Sequence, residues 1–244
     1  MIQLLRFLNQ CINNSLVTSC VLSLSLAITP AALADYQPDP KQPPPSGTTT
    51  SSGPRGGCEN NQGRSLTVLA PVKQVGKTAS VRPTLAWFIP DSKAFPVEFQ
   101  LFELANNKNP KPVQKLEFQG SSGIMKLSLT EDKPALTVGH RYFWQIAVKC
   151  DSNHPSTWLV ARAEFQVVEM PADLKKALST SKNHLEMAEL YAKEGFWYDG
   201  LAEALKSAEG SRLGQVAANF LEDLAKSEAP QHSENLRQIA SRER

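Results

Sequence analysis

The sequence predicts a chain that is β first and α afterwards: a seven-stranded antiparallel β-sandwich followed by a short α-helical hairpin region. Three observations predict it. From Leu66 to Val168, apolar and polar residues alternate in short runs separated by turn residues, the pattern of half-buried strands. Leu136-x-x-Gly139-x-x-Tyr142-x-Trp144 reads as the corner into a core strand, where the Tyr hydroxyl ties back to the backbone. After Pro171 the apolar period lengthens from two to about 3.6 residues.

Residues 1–34 read as an export signal. Arg6 supplies a positive start, Leu16 to Ile28 an apolar core, and Ala32-Leu33-Ala34 a small-x-small cleavage site. The apolar run falls short of the ~20 residues of a membrane span, so no stable span is expected after cleavage. Val17-Thr18-Ser19-Cys20 fits a lipoprotein box, but the apolar core follows Cys20 instead of preceding it, which favours cleavage after Ala34 over lipidation. The expected location is periplasmic or secreted. The formal net charge of +2 falls to +1 once Arg6 is lost, because the signal holds no acid. So balanced a chain has no electrostatic footprint for nucleic acid. Cleavage also removes Cys11 and Cys20. Cys58 and Cys150 remain, and in an oxidising compartment one disulfide between them is the expectation. It would close a loop of roughly 90 residues and contribute on the order of 4 kcal/mol through the unfolded state.

The mature chain divides by composition. Residues 35–57, with Pro43-Pro44-Pro45 and Thr48-Thr49-Thr50-Ser51-Ser52, read as a disordered linker. Residues 58–170 form the sandwich, with strands expected near 65–70, 84–90, 97–104, 113–118, 124–130, 140–150 and 158–168. Asn106-Asn107-Lys108-Asn109-Pro110 and Gly120-Ser121-Ser122-Gly123 break them. Leu85, Trp87 and Ile89 share one strand face, as do Tyr142, Trp144, Ile146 and Val148, so Trp87, Tyr142 and Trp144 are expected as structural core. Residues 171–230 form the helical region. Its first stripe is Leu174, Leu178, Leu185, Ala188 and Ala192, with an interruption around Ser179-Thr180-Ser181 and an end at Gly195. A second helix is expected from about Tyr198 to Ser207 and a third from about Leu213 to Lys226, stopped by Pro230. Residues 231–244 are expected as a polar tail with at most one frayed turn.

Leu85-x-Trp87-x-x-Pro90 and the Tyr142 corner resemble a fibronectin type III module over residues 65–168. Ala188-x-x-Tyr191-x-x-x-Gly195-x-Trp197-x-x-Gly200 is similar to a single tetratricopeptide repeat, which uses small residues where two helices cross. One such unit builds no solenoid and must pack on something else. The mature chain as a whole resembles a cyanobacterial family of exported proteins, the domain of unknown function 928. The residues that carry this are Arg55-Gly56-Gly57-Cys58, Leu66-x-x-Leu69-x-Pro71, Gly76-x-Thr78, Arg82-Pro83-Thr84, Phe88-Ile89-Pro90, Cys150 and Tyr191-Ala192-x-x-Gly195-x-Trp197-Tyr198-Asp199. Gly200 stands where that resemblance leads one to expect Ala, and Phe220 where it leads one to expect Trp. The family implies the architecture and no activity.

No catalytic constellation is legible. Gly76-Lys77-Thr78 mimics the end of a phosphate loop, yet Pro71 replaces the required Gly and no helix follows, so a β-turn is expected. Cys150-x-x-x-His154 has metal-ligand spacing, but the thiol is expected in the bridge; no metal or cofactor is implied. Glu98 and Glu103 lie an odd five residues apart on one strand and face opposite ways; Glu131-Asp132 sits in a solvated turn. Phe196-Trp197-Tyr198, three aromatics at the helix-hairpin turn, are the candidate contact surface for a partner, set against burial by intramolecular helix packing. The function expected is that of a non-enzymatic protein–protein interaction or adaptor module of the cell envelope. Two alternatives stand beside it: a carbohydrate-binding module using Trp158, and a hydrolase whose active site is assembled from loops.

Overall fold

A computed structural model describes residues 35–47, 58–59, 65–104, 110–207 and 212–244. The export signal with Cys20, the stretch 48–57 and most of the Asn106–Pro110 break lie outside the described residues. Among the described residues, eight strands are followed by five α-helices. The strands are β1 (Thr67–Val68), β2 (Gly76–Thr78), β3 (Thr84–Ile89), β4 (Pro96–Glu103), β5 (Lys111–Gln119), β6 (Gly123–Ser128), β7 (Arg141–Val148) and β8 (Leu159–Val167). They form a three-stranded sheet, β1-β3-β6, and a five-stranded sheet, β2-β8-β7-β4-β5.

Strands form at all seven expected places, and β2 is the addition. It pairs with β8 in parallel, so a seven-stranded, wholly antiparallel arrangement is not what the chain adopts. Gly76-Lys77-Thr78 is therefore a short strand and not the expected turn. Three residues are too few to show an alternation. Gly76 is required there because a Cβ would lie 2.7 Å from the Tyr198 ring.

Period-two alternation sets the core. Val97, Phe99 and Leu101 of β4, Tyr142, Trp144, Ile146 and Val148 of β7, and Ala163, Phe165 and Val167 of β8 are all buried. Trp87 from the smaller sheet meets Trp144 and Phe118 of the larger at ring-centroid distances of 6.3 and 6.1 Å. The corner forms as expected: the Tyr142 hydroxyl accepts the Thr137 N–H at 2.9 Å. Cys58 and Cys150 are bonded, with an S–S distance of 2.05 Å. Glu59 beside the bridge accepts from the Ser92 N–H and hydroxyl, which fixes residues 58–59 at the end of β3.

The helices are α1 (Ala172–Thr180), α2 (His184–Lys193), α3 (Trp197–Ala204), α4 (Gly214–Ser227) and α5 (Pro230–Arg242). The expected interruption falls between α1 and α2, where the Asn183 side chain caps α2 by accepting the Glu186 N–H at 2.9 Å. Gly195 turns α2 into α3 with φ +73°. The polar tail expected at 231–244 is instead a full helix. Pro230 sits at its first turn, where the missing N–H costs nothing, and Leu236, Ile239 and Ala240 are buried. Its polar composition hid a narrow apolar stripe at i, i+3, i+4. Gly200 and Phe220, the two departures from the resembled family, meet each other: a Cβ on Gly200 would lie 2.7 Å from the Phe220 ring.

Residues 35–47 do not form the free tether expected of their composition. Tyr36 is buried with its ring 4.8 Å from that of Trp197, and the Gln37 N–H donates to Ala192 O. Farther along, the Val75 N–H donates to Pro43 O, and Ser46 donates from its N–H and hydroxyl to Glu164. Prolines suit a segment with few donors of its own, and the docked surfaces supply the missing partners.

Candidate functional site at the helix–sheet junction

Helix α3 is the element that joins the two halves. Phe196 before it and its first two residues are the candidate partner surface weighed against burial, and the structure buries them: Phe196, Trp197 and Tyr198 are 2, 0 and 1% exposed. They need not share one core, because they enter three different walls. Phe196 lies under the Lys77 ammonium, 4.9 Å from its ring centroid. Trp197 donates from Nε1 to Leu69 O at 3.0 Å. Tyr198 reaches into the sandwich, where its hydroxyl accepts the Trp144 Nε1–H at 3.2 Å.

Three further side chains of the helical half grip the segment from Leu69 to Ser80, on either side of β2. Asp199 accepts the Ala79 N–H at 3.0 Å. Glu228, in the turn between α4 and α5, accepts the Val72 and Lys73 N–H groups at 3.1 and 2.9 Å. His232 donates from Nε2 to Ala70 O at 3.0 Å. Burial sets their protonation. It pushes the Glu228 carboxyl up to about 7 against its two backbone donors. It drives the His232 imidazole down to about 4.

The same junction leaves a polar cleft of about 250 Å³ open between the α2–α3 hairpin and the start of β3. Tyr191, Asp199, Glu203 and Lys206 line the helical side, Arg82 and Thr84 the sheet side. Asp199 and Glu203 lie one helical turn apart and so share a face. Burial pushes the Asp199 carboxyl up to about 6, held back by the Ala79 N–H and the Thr78 hydroxyl. Burial, with the nearby carboxylates of Asp199 and Glu203, pushes the Tyr191 phenol up to about 12, so at neutral pH it keeps its proton. Glu203 is oriented from two sides, by Lys206 Nζ at 2.7 Å and His184 Nδ1 at 2.8 Å.

The other sequence candidates are dispersed. Trp87, Tyr142 and Trp144 are buried core. Trp158 is half-buried, with its Nε1–H on Asp151 O and the Lys149 ammonium 4.8 Å from its ring centroid, so one face and the polar handle are already engaged. Cys150 is bridged and His154 pairs with Asp151 at 2.6 Å. Glu98 lies opposite Glu117 in the sheet, and Lys115 and Lys149 bridge the two carboxylates; Glu103 pairs with His140 elsewhere. Asp132 is exposed and paired with Lys133. The cleft residues carry no joint signature in the sequence, because Arg82 and Glu203 come from distant elements. The available signal was Asp199-x-x-x-Glu203, an i,i+4 pair on an expected helix.

Among the described residues no helix is long and apolar enough to cross a membrane. The sequence model of the family described as Domain of Unknown Function (DUF928) matches residues 50–240, which include both halves and the junction between them. No curated protein matches the chain.

Proposed function

Since the chain belongs to the DUF928 family over a span containing both halves, we propose that it works as one unit: an exported, non-enzymatic adaptor that holds a component of the cell envelope in the junction cleft. The observation that carries this reading is the preformed cleft, walled by both halves and lined with polar groups held in place by other parts of the fold. Recognition by groups already oriented loses little freedom on binding. The Cys58–Cys150 bridge supports an oxidising compartment. We also read the sheet half as fibronectin type III-like and the α2–α3 hairpin as tetratricopeptide-like.

A photo-crosslinking residue at Ala202, which lines the cleft, tests the proposal. In native envelopes it should yield a discrete adduct that the same residue at Val113, exposed on β5, does not. Identical products from both positions, or none from Ala202, would overturn it.

One observation favours hydrolysis as a second reading: burial raises the Asp199 carboxyl to about 6, and a second carboxyl, Glu203, lies one helical turn away in the same cleft. Against it, both Glu203 oxygens are bonded, to Lys206 and His184, and Asp199 already braces the Ala79 backbone. Product release from an oligosaccharide that stops in Asp199→Asn would establish hydrolysis; its absence would leave binding as the role of the cleft.

A further inference from the structure

We propose that the occupant of the junction cleft is an uncharged, hydroxyl-rich ring: one sugar residue of a saccharide. The inference rests on the cleft being the binding site, as argued above. Size sets the first limit, since about 250 Å³ lies below the ~300–1,000 Å³ range of sites for drug-sized ligands and suits one ring.

Charge sets the second limit. Two cations, Arg82 and Lys206, and two carboxyl groups, Asp199 and Glu203, line the cleft, so its fixed charges sum to about zero. Arg82 Nη2 donates to the carbonyls of Glu131 and Lys133 at 3.3 and 3.0 Å. Lys206 and His184 are committed to Glu203. An anion or a cation entering the cleft therefore meets no net charge of opposite sign to offset its loss of water.

The chemistry that remains is that of hydroxyl recognition. A carboxylate has about four lone-pair sites, so Glu203 retains acceptor capacity after binding Lys206 and His184. The Ser80 hydroxyl accepts from the Arg82 N–H and keeps its own proton to donate. Tyr191 adds a half-buried ring backed by Phe196, at a centroid distance of 6.3 Å, together with a protonated hydroxyl. An aromatic body with a polar tip, beside fixed acceptors, complements a ring whose C–H face is apolar and whose rim is hydroxyl. Trp158, whose ring and N–H are engaged elsewhere, has no part in this site.

Ligand-observed NMR and calorimetry on the full chain after export, with four defined probes, test the inference. Methyl β-glucoside and N-acetylglucosamine are neutral, glucosamine is a cation and glucuronate an anion. At least one neutral probe should bind with Kd on the order of 1 mM, and both charged probes at least ~10-fold more weakly. Tyr191→Ala should weaken the neutral probe at least ~10-fold, Glu203→Gln measurably, and Trp158→Ala not at all. Tyr191→Phe, which keeps the ring, should bind between wild type and Tyr191→Ala and guards against loss of fold as the explanation. Retention on insoluble cellulose or chitin would place the ring within a polymer, and binding of free rings alone would place it in a soluble sugar. Failure of every neutral probe at 20-fold above that Kd (~20 mM), tighter binding of a charged one, or indifference to Tyr191→Ala overturns the inference. An adduct at Ala202 without sugar binding would sink the sugar and spare the adaptor; no adduct with sugar binding would do the reverse.

Discussion

The sheet half and the helical half are held by different kinds of interaction. The sheet half is stabilised from within: two tryptophans between its sheets, a tyrosine tied to the backbone five residues upstream, and a covalent bridge. The helical half has an apolar core of its own, with Ala217, Phe220, Leu221, Leu224, Leu236 and Ala240 buried, but it is tied to the sheet half by a seam of buried polar bonds. Trp197, Tyr198, Asp199, Glu228 and His232 all make their polar bonds to the sheet half, and α1 buries only Leu174. The difference teaches that the seam sets where the helices sit on the sheets, and that the cleft exists only while they are docked.

The strongest way to break this comparison is Trp197→Ala. It removes the largest buried contact of the docked face and leaves Leu69 O without its donor, so a loss of about 5 kcal/mol is expected. Hydrogen exchange should show protection falling across α2 to α5 while β4, β7 and β8 keep theirs. Uniform loss over both halves would mean that the comparison is wrong.

Cys58→Ser with Cys150→Ser probes the other side. Opening a link between residues 92 apart should cost about 4 kcal/mol, read as a lower urea midpoint. Tyr198→Phe is smaller. It leaves the buried Trp144 Nε1–H without its acceptor, at about 2 kcal/mol.

The acid and the base at the junction sharpen the comparison through pH. The folded-state pKa of Glu228 is raised from 4.5 to about 7, so its contribution is full below about 4.5 and is lost as pH rises through 7. Asp199 behaves alike, its contribution being lost as pH rises through about 6. His232 is lowered from 6.5 to about 4, so its contribution is full above 6.5 and is lost as pH falls through 4. Glu228→Gln should therefore flatten the decline of stability between pH 5 and 7.5 by on the order of 1 kcal/mol. His232→Gln should flatten only the acid side, and urea midpoints at several pH values separate the two. Asn183→Ala, which removes the cap of α2, should cost about 1 kcal/mol and lower α2 protection first.

What the sequence made legible follows the same division. Period-two alternation and the Tyr142 corner are local patterns, and the strands, the core tryptophans and the bridge could be read from them. β2 could not, because three residues carry no period and its partner lies in β8. The burial of Phe196-Trp197-Tyr198 was hidden because adjacency in sequence says nothing about which walls a docked helix meets. The order of residues 35–47 is hidden for a related reason: a Pro-rich stretch has no core of its own, and its order is lent by Ala192, Val75 and Glu164. The cleft is the extreme case, since Arg82 and Glu203 belong to different halves.

The parallel pairing of β2 with β8 also bears on how the molecule is assembled. Gly76–Thr78 leaves the ribosome long before Phe165–Val167, and the Tyr198 ring that covers Gly76 later still. Contacts so distant along the chain are slow to form, and hairpin neighbours such as β4 and β5 close sooner. The sheet is thus expected to gain this edge only after β8 has been made and Tyr198 has followed it. Until then, the unpaired rim of β8 is the place where the nascent polypeptide needs protection from other chains.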